Sequence, residues 1–136
     1  MTAQRGKDML LKLDDGTGNF VTVAGIRTRR LALNAQTIDA TDADSIGQWR
    51  ELLAGGGVRR SSLTGGGLFK DQISDALIRQ AFFNGTVENW QIIIPGFGTI
   101  QGLYQISALD YRGDYNAELT FEITLESAGA LTFTAL

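Results

Sequence analysis

Ala117 to Leu125 reads AELTFEITL, and its alternation decides the fold. Leu119, Phe121, Ile123 and Leu125 fall on one side; Glu118, Thr120, Glu122 and Thr124 fall on the other. That two-residue period belongs to a strand with one face in a core and the other in solvent. Working outward, Ala130 to Ala135 (ALTFTA) reads as a final short strand after the turn Ser127-Ala128-Gly129. Upstream, Asp110 to Asn116 (DYRGDYN) is a turn region. Thr99 to Leu109 (TIQGLYQISAL) and Val87 to Ile94 (VENWQIII) are strands on either side of the turn signature Pro95-Gly96-Phe97-Gly98.

The period changes before Val87. In QISDALIRQAFFNG, Ile73, Ala76, Leu77, Gln80 and Ala81 recur at helical spacing, and Phe82 or Phe83 extends the apolar side. Asp71 or Ser74 starts this helix and Gly85 caps its end. At the other end of the chain, Asp8 to Leu13 (DMLLKL) is a strand and Asp14 to Asn19 a turn cluster. Phe20 onward returns as FVTVAGIRTRRLALN, with Gly25 a bend or bulge, and the two segments fit a hairpin. Strands, one helix and no sustained βαβ alternation predict an antiparallel sandwich or partly open barrel with a helix beside it.

One stretch does not fit a compact sandwich. Ile38 to Asp71 (IDATDADSIGQWRELLAGGGVRRSSLTGGGLFKD) is a long, polar excursion with two Gly triplets. Ordering each backbone residue costs roughly 1–2 kcal/mol, so such a length implies a use, and a contact with another subunit is favoured over a catalytic site. Thr41 or Asp42 is expected to cap a short helix with Ile46, Trp49, Leu52 and Leu53 near one face, stopped by Gly55-Gly56-Gly57. Val58 to Ser62 then reads as extended, and Gly65-Gly66-Gly67 as a second permissive stretch.

Composition narrows the function. The 136 residues make one domain, 1–136, with 43% hydrophobic and 20% charged residues, as in soluble globular proteins. Cysteine and histidine are both absent, which removes disulfides, thiolate nucleophiles, Cys/His metal sites and histidine bases together. A net charge of −3 argues against a nucleic-acid-binding surface. The N-terminal MTAQRGKDMLLKL lacks the continuous apolar run of a signal peptide, and no run approaches a membrane span.

The remaining motifs have plain structural accounts. Pro95 to Gly102 imitates a dinucleotide fingerprint but leads into β-branched residues, so a hairpin turn explains it better. Asp39 and Glu51 span the length of a calcium-binding loop, yet the required glycine is Asp44 and the fifth position is Ala43. Glu118, Glu122 and Glu126 share one strand face in a solvated pattern rather than flanking a cleft. No catalytic residue, cofactor or metal is expected, and the chain does not read as an enzyme. Gly triplets, exposed strand edges and polar strand faces suit a self-assembling module.

Three runs carry a resemblance: Ile38-Asp39-Ala40-Thr41, Asp44-Ser45-Ile46-Gly47-Gln48-Trp49-Arg50-Glu51-Leu52-Leu53-Ala54-Gly55, and Ser61-Ser62-Leu63-Thr64-Gly65-Gly66-Gly67-Leu68-Phe69. Together they resemble the TP901-1-like major tail protein family of long-tailed phages, and most closely its counterpart in alphaproteobacterial gene transfer agents. The resemblance implies an all-β sandwich or barrel of tail-tube type with one flanking α-helix and a long inter-strand loop. It further implies six-copy rings stacked into a tube through which DNA passes without sequence-specific binding, with strands near Leu31 and Thr99 to Leu109 as candidates for the lumen. A tape measure protein inside, tail terminator and distal tail proteins at the ends, assembly in the bacterial cytoplasm and no membrane insertion follow from the same likeness. No decorating immunoglobulin-like domain is expected after Leu136. Carried onto this chain, residues 1–7 are a flexible arm that orders on assembly and 38–69 is the inter-subunit element. The interface residues are then Lys7, Ile38, Asp39, Ile46, Trp49, Arg50, Leu52, Leu53, Arg59, Arg60, Leu68 and Phe69. Two alternatives stay open: a hexameric tube of a contractile injection or type VI secretion system, and a stand-alone β-sandwich binding module.

Overall fold

The computed structural model describes Arg5, residues 9–55 and residues 57–135. In chain order the elements are β1 (Leu10–Asp14), β2 (Phe20–Thr22), β3 (Ile26–Ala35), β4 (Arg59–Leu68), α1 (Ile73–Asn84), β5 (Glu88–Ile94), β6 (Gly98–Arg112) and β7 (Thr120–Ala135). All the strands join one antiparallel sheet in the order β2-β1-β5-β6-β7-β4-β3. The sheet curls into a half-barrel with α1 at its flank. Partly open barrel is thus the better of the two expected architectures.

Alternation places the core. Leu11 and Leu13 of β1, Trp90 and Ile92 of β5, and Tyr104 and Ile106 of β6 point to one face with Phe121, Ile123 and Leu125 of β7. Ile78 and Ala81 of α1 join the same cluster. The helix is tied down twice: Asp75 accepts a bond from the Gln72 N–H at 3.0 Å in a reciprocal capping box, and the Ser74 hydroxyl accepts one from the Ala24 N–H at 3.1 Å. Gln72 is therefore the N-cap, between the two expected starts Asp71 and Ser74, while Gly85 caps the other end as expected. Ile73, expected on the apolar side, is instead exposed, because Ser74 and Asp75 turn inward to make these bonds.

Three local expectations change, each for a tertiary reason. Ser127-Ala128-Gly129 is not a turn: β7 is one long strand, and an irregularity opposite Gly102 to Tyr104 sets Ser127 across from Tyr104 and Leu131 across from Gly102. Ile26 to Ala35 does not stay with the β1–β2 hairpin but crosses to the far edge of the sheet beside β4. Gly65-Gly66-Gly67 is not a loop but part of β4. A Cβ on Gly67 would overlap the Gly25 carbonyl oxygen, and one on Gly25 would overlap that of Leu68, so the two glycines let β3 and β4 approach where the ladder is irregular.

Candidate assembly surface

The β3–β4 hairpin does not end with its strands. Gln36 N–H donates to the Val58 carbonyl, Leu53 N–H to that of Ile38, and Ala40 N–H to that of Glu51, each at 2.8 Å. An isolated antiparallel bridge joins Asp39 to Leu52. These rungs carry residues 36–58 outward as a two-stranded arm.

The tip is built from short polar side chains bonding to nearby backbone. Thr41 Oγ1 accepts from the Glu51 N–H at 2.6 Å, Asp42 Oδ1 from the Asp44 N–H at 2.9 Å, and Ser45 Oγ from the Asp42 N–H at 3.0 Å. Such turns compete with helix formation. The expected amphipathic helix is accordingly reduced to a 3-10 turn at Ile46–Gln48, inside which Gly47 is left-handed with φ of 63°, and Trp49 is already extended. Ile46, Trp49, Leu52 and Leu53 do not line one face of a helix; they are displayed along the arm.

All of these apolar side chains are at least partly exposed. Ile46 is 86% exposed and Trp49 76%, and Ile38, Leu52 and Leu53 are also open to solvent. The arm thus holds its own backbone while leaving Ile46 and Trp49 mostly in solvent. Arg59 and Arg60 lie at its root, where β4 begins. Leu68 and Phe69 lie at the opposite end of β4, about 30 Å away at strand rise. There they are half-buried, and Phe69 packs edge-on against Tyr111 with ring centres 5.9 Å apart. Lys7 falls outside the described residues, as does the expected N-terminal arm apart from the exposed Arg5.

Sequence reading passed over several other exposed apolar residues. Leu33 and Val58 flank the root of the arm, and Phe97 packs on Phe133 with ring centres 4.9 Å apart at the opposite side of β6. Val58, isolated between Gly57 and Arg59, was visible as an apolar residue with no periodic partner. Leu33 was not, because it keeps the core parity of its strand.

The carboxylates serve the fold. Asp14 accepts from the N–H groups of Gly16 and Gly18 at 2.8 and 3.2 Å, and Asp15 from the hydroxyl of Thr17 at 2.6 Å, which holds the Asp15 carboxyl below its ordinary range. They edge a cleft of about 180 Å³ beside α1, which Gln80, Asn84, Thr86 and Glu88 also line. Asp39 is likewise held low, by the Thr41 hydroxyl and N–H and then by the charge of Arg50. Among the described residues no three carboxylates gather into a metal-binding cluster, and no helix is long and apolar enough to cross a membrane.

A curled sheet with two open edges, carrying a preformed hairpin whose apolar residues are unpartnered, is a structural module that completes itself against other copies. A family model described as phage tail tube protein matches residues 3–133, and the chain belongs to that family. Among solved structures it is similar to the tail of an empty gene transfer agent particle, refined with C6 symmetry. The identity is 51%, the TM-score 0.94, and the match covers 98% of this chain and all of that one. A chain in the virion of a native gene transfer agent particle is 50% identical with a TM-score of 0.91, over 98% and 100% of the two chains. The SPP1 tail tube shares the fold at 15% identity and a TM-score of 0.71, over 94% of this chain and 76% of that one. No curated protein sequence matches significantly.

Proposed function

We propose that six copies of this chain close into a ring, and that rings stack into the tail tube of a gene transfer agent-like or phage particle, the conduit for DNA delivery. The observation that carries this reading is the similarity, over 98% of the chain, to a subunit of a gene transfer agent tail of C6 symmetry. Self-assembly makes physical sense of the two open sheet edges, β2 and β3, which pairing with neighbours would cover. Residues 36–58 supply the contact between subunits, with Ile38, Asp39, Ile46, Trp49, Arg50, Leu52 and Leu53 as its anchors and Arg59 and Arg60 at its base. In this reading Leu68 and Phe69 contribute at the other end of the sheet, and residues 1–7, with Lys7, order on assembly. A tape measure protein occupies the lumen before DNA, terminator and distal tail proteins close the ends, and assembly takes place in the bacterial cytoplasm.

The lumen wall is the solvent face of β3, β4, β7 and β6. It carries Ser62, Thr64, Thr124 and Gln105, with Arg30 opposite Thr64, Arg60 opposite Asn34 and Arg112 opposite Thr120, and the register sets Glu122 directly opposite Asp110 and Glu126 opposite both Ser62 and Gln105. Like charges directly opposite one another cost stability, so a facing Asp110–Glu122 pair is an expense that a patch repelling phosphate on this otherwise mixed face would justify. Each lysine or arginine contact with DNA would instead add salt-dependent retention. Electron microscopy of purified protein from dilute to millimolar tests the tube; a persistent monomer at every concentration counts against it. Glu122→Lys tests the patch: tubes should still form, and particles built from the variant should deliver DNA more slowly, whereas unchanged delivery refutes a phosphate-repelling role for the Asp110–Glu122 pair.

A further inference from the structure

Strand β7 has two partners along its first half and one along its second. β4 pairs with it from Leu68 opposite Thr120 to Ser62 opposite Glu126, then diverges toward the arm, while β6 stays paired out to Ala135. Beyond Ser127, one edge of β7 meets no strand among the described residues, and a wedge-shaped cleft of about 610 Å³ opens between it and the root of the arm. Its apex is locked by buried polar bonds. The Ser61 N–H donates to Ser127 Oγ at 2.9 Å, and the Tyr104 hydroxyl donates to Ser61 Oγ at 2.8 Å.

The cleft is built to take a polypeptide. Leu33 and Ala35 stand on one wall and Leu131 on the other, with Arg59 and Arg60 alongside and no carboxylate among the lining residues. Leu33 continues the core face yet is 61% exposed, while its register partner Ser61 is 2% exposed. Free strand edges are normally guarded by charge or proline. Residues 127–135 (SAGALTFTA) contain neither.

We propose that this cleft receives the arm of a second copy of the chain, with Trp49 and Ile46 against Leu33 and Leu131. Charge selects that occupant: residues 38–53 hold Asp39, Asp42, Asp44 and Glu51 against the single Arg50, facing Arg59 and Arg60. Residues 1–8 hold Arg5 and Lys7 against Asp8, the same sign as the cleft. The subunit's own arm cannot turn back, because its rungs keep it extended, with the Ala40–Glu51 rung about 16 Å beyond the last β3–β4 pair at strand rise. Arm into cleft is a head-to-tail contact, which propagates into rings or stacks. The inference rests on the assembly reading and adds what the arm grips.

The absence of native cysteine makes the test clean. Gln48→Cys, beside Trp49, and Ala130→Cys are made as separate proteins, mixed, assembled and oxidised. A disulfide-linked dimer that requires both proteins is expected. Arg59→Glu with Arg60→Glu should raise the protein concentration needed for assembly at least about tenfold, the equivalent of 1.4 kcal/mol. Mixing that protein with Asp42→Lys/Asp44→Lys should restore assembly. Tubes that form without the cross-link, and at an unchanged concentration in the Arg59/Arg60 variant, overturn the docking and leave the tube reading standing. Cross-linking of Ala130→Cys to Thr2→Cys in place of Gln48→Cys overturns it too, giving the cleft to the N-terminal segment. Wild-type protein that stays monomeric throughout overturns the tube reading and this inference with it.

Discussion

The chain has two tryptophans, and they sit in opposite surroundings. Trp90, in β5, is fully buried between the sheet and its helix, whereas Trp49, in the arm, stands in solvent. Both flanking segments have satisfied backbone bonds, so the difference lies in what the side chains meet. Around Trp90, alternating residues of β1, β5, β6 and β7 converge on one face and cover one another. Trp49 lies at the tip of a two-stranded ribbon, and among the described residues no other strand or helix covers it. A two-stranded ribbon has no interior of its own. The lesson is that order and burial are separable here: the arm is shaped by its own hydrogen bonds while its apolar side chains stand largely in solvent.

The sharpest break of this contrast is to exchange each tryptophan for alanine. Trp90→Ala should destabilise the subunit by about 3–5 kcal/mol, enough to unfold much of it, as read by denaturant melts. Trp49→Ala should change subunit stability by no more than about 0.5 kcal/mol while abolishing tubes in electron micrographs. If Trp49→Ala unfolds the subunit instead, the arm is part of the core and the contrast fails.

A smaller effect tests the hinge between the regions. Tyr104→Phe removes the donor to Ser61 at the point where β4 leaves β7, leaving a buried hydroxyl without its partner, and should cost about 1–2 kcal/mol. The Tyr104 phenol is raised by burial, with its bond to Ser61 opposing, so the wild-type bond should persist at mildly alkaline pH.

The smallest effect separates arm from core by acid. The Asp39 carboxyl titrates below its ordinary 3.8, so its contribution is complete above that value and lost as pH falls through the lower, folded one. Amide exchange at Ala40 and Leu53 should therefore quicken below about pH 3.8 before the amides of β6 respond, and Asp39→Asn should remove the pH dependence. Simultaneous loss in both regions would mean that they unfold as one unit.

Much of the half-barrel was legible in the chain. Ala117 to Leu125, the Pro95–Gly98 turn and the helix ending at Gly85 are local patterns: a strand, a turn or a cap is determined by residues within a few positions of one another. The family was legible for the same reason, since its marks lie in contiguous runs around Trp49 and the Gly triplets. The candidate interface was legible as composition but not as shape. Ile46, Trp49, Leu52 and Leu53 fit helical spacing, and only the turns closed by Thr41, Asp42 and Ser45, with left-handed Gly47, reveal an extended arm.

The sequence by itself determined the alternation and core face of Ala117 to Leu125, the existence of the helix that ends at Gly85 and the absence of cysteine and histidine chemistry. Tertiary structure alone decided that Ile26 to Ala35 crosses to the far edge, that β7 runs unbroken past Gly129, and that β4 parts from β7 at Ser61. The physical reason is that strand pairing is a contract between residues far apart in the chain. Alternation states that a face will be buried, but the partner, the register and the point where pairing ends are set by close approaches such as Gly25 with Gly67 and by bonds such as Tyr104 with Ser61, which no local pattern encodes.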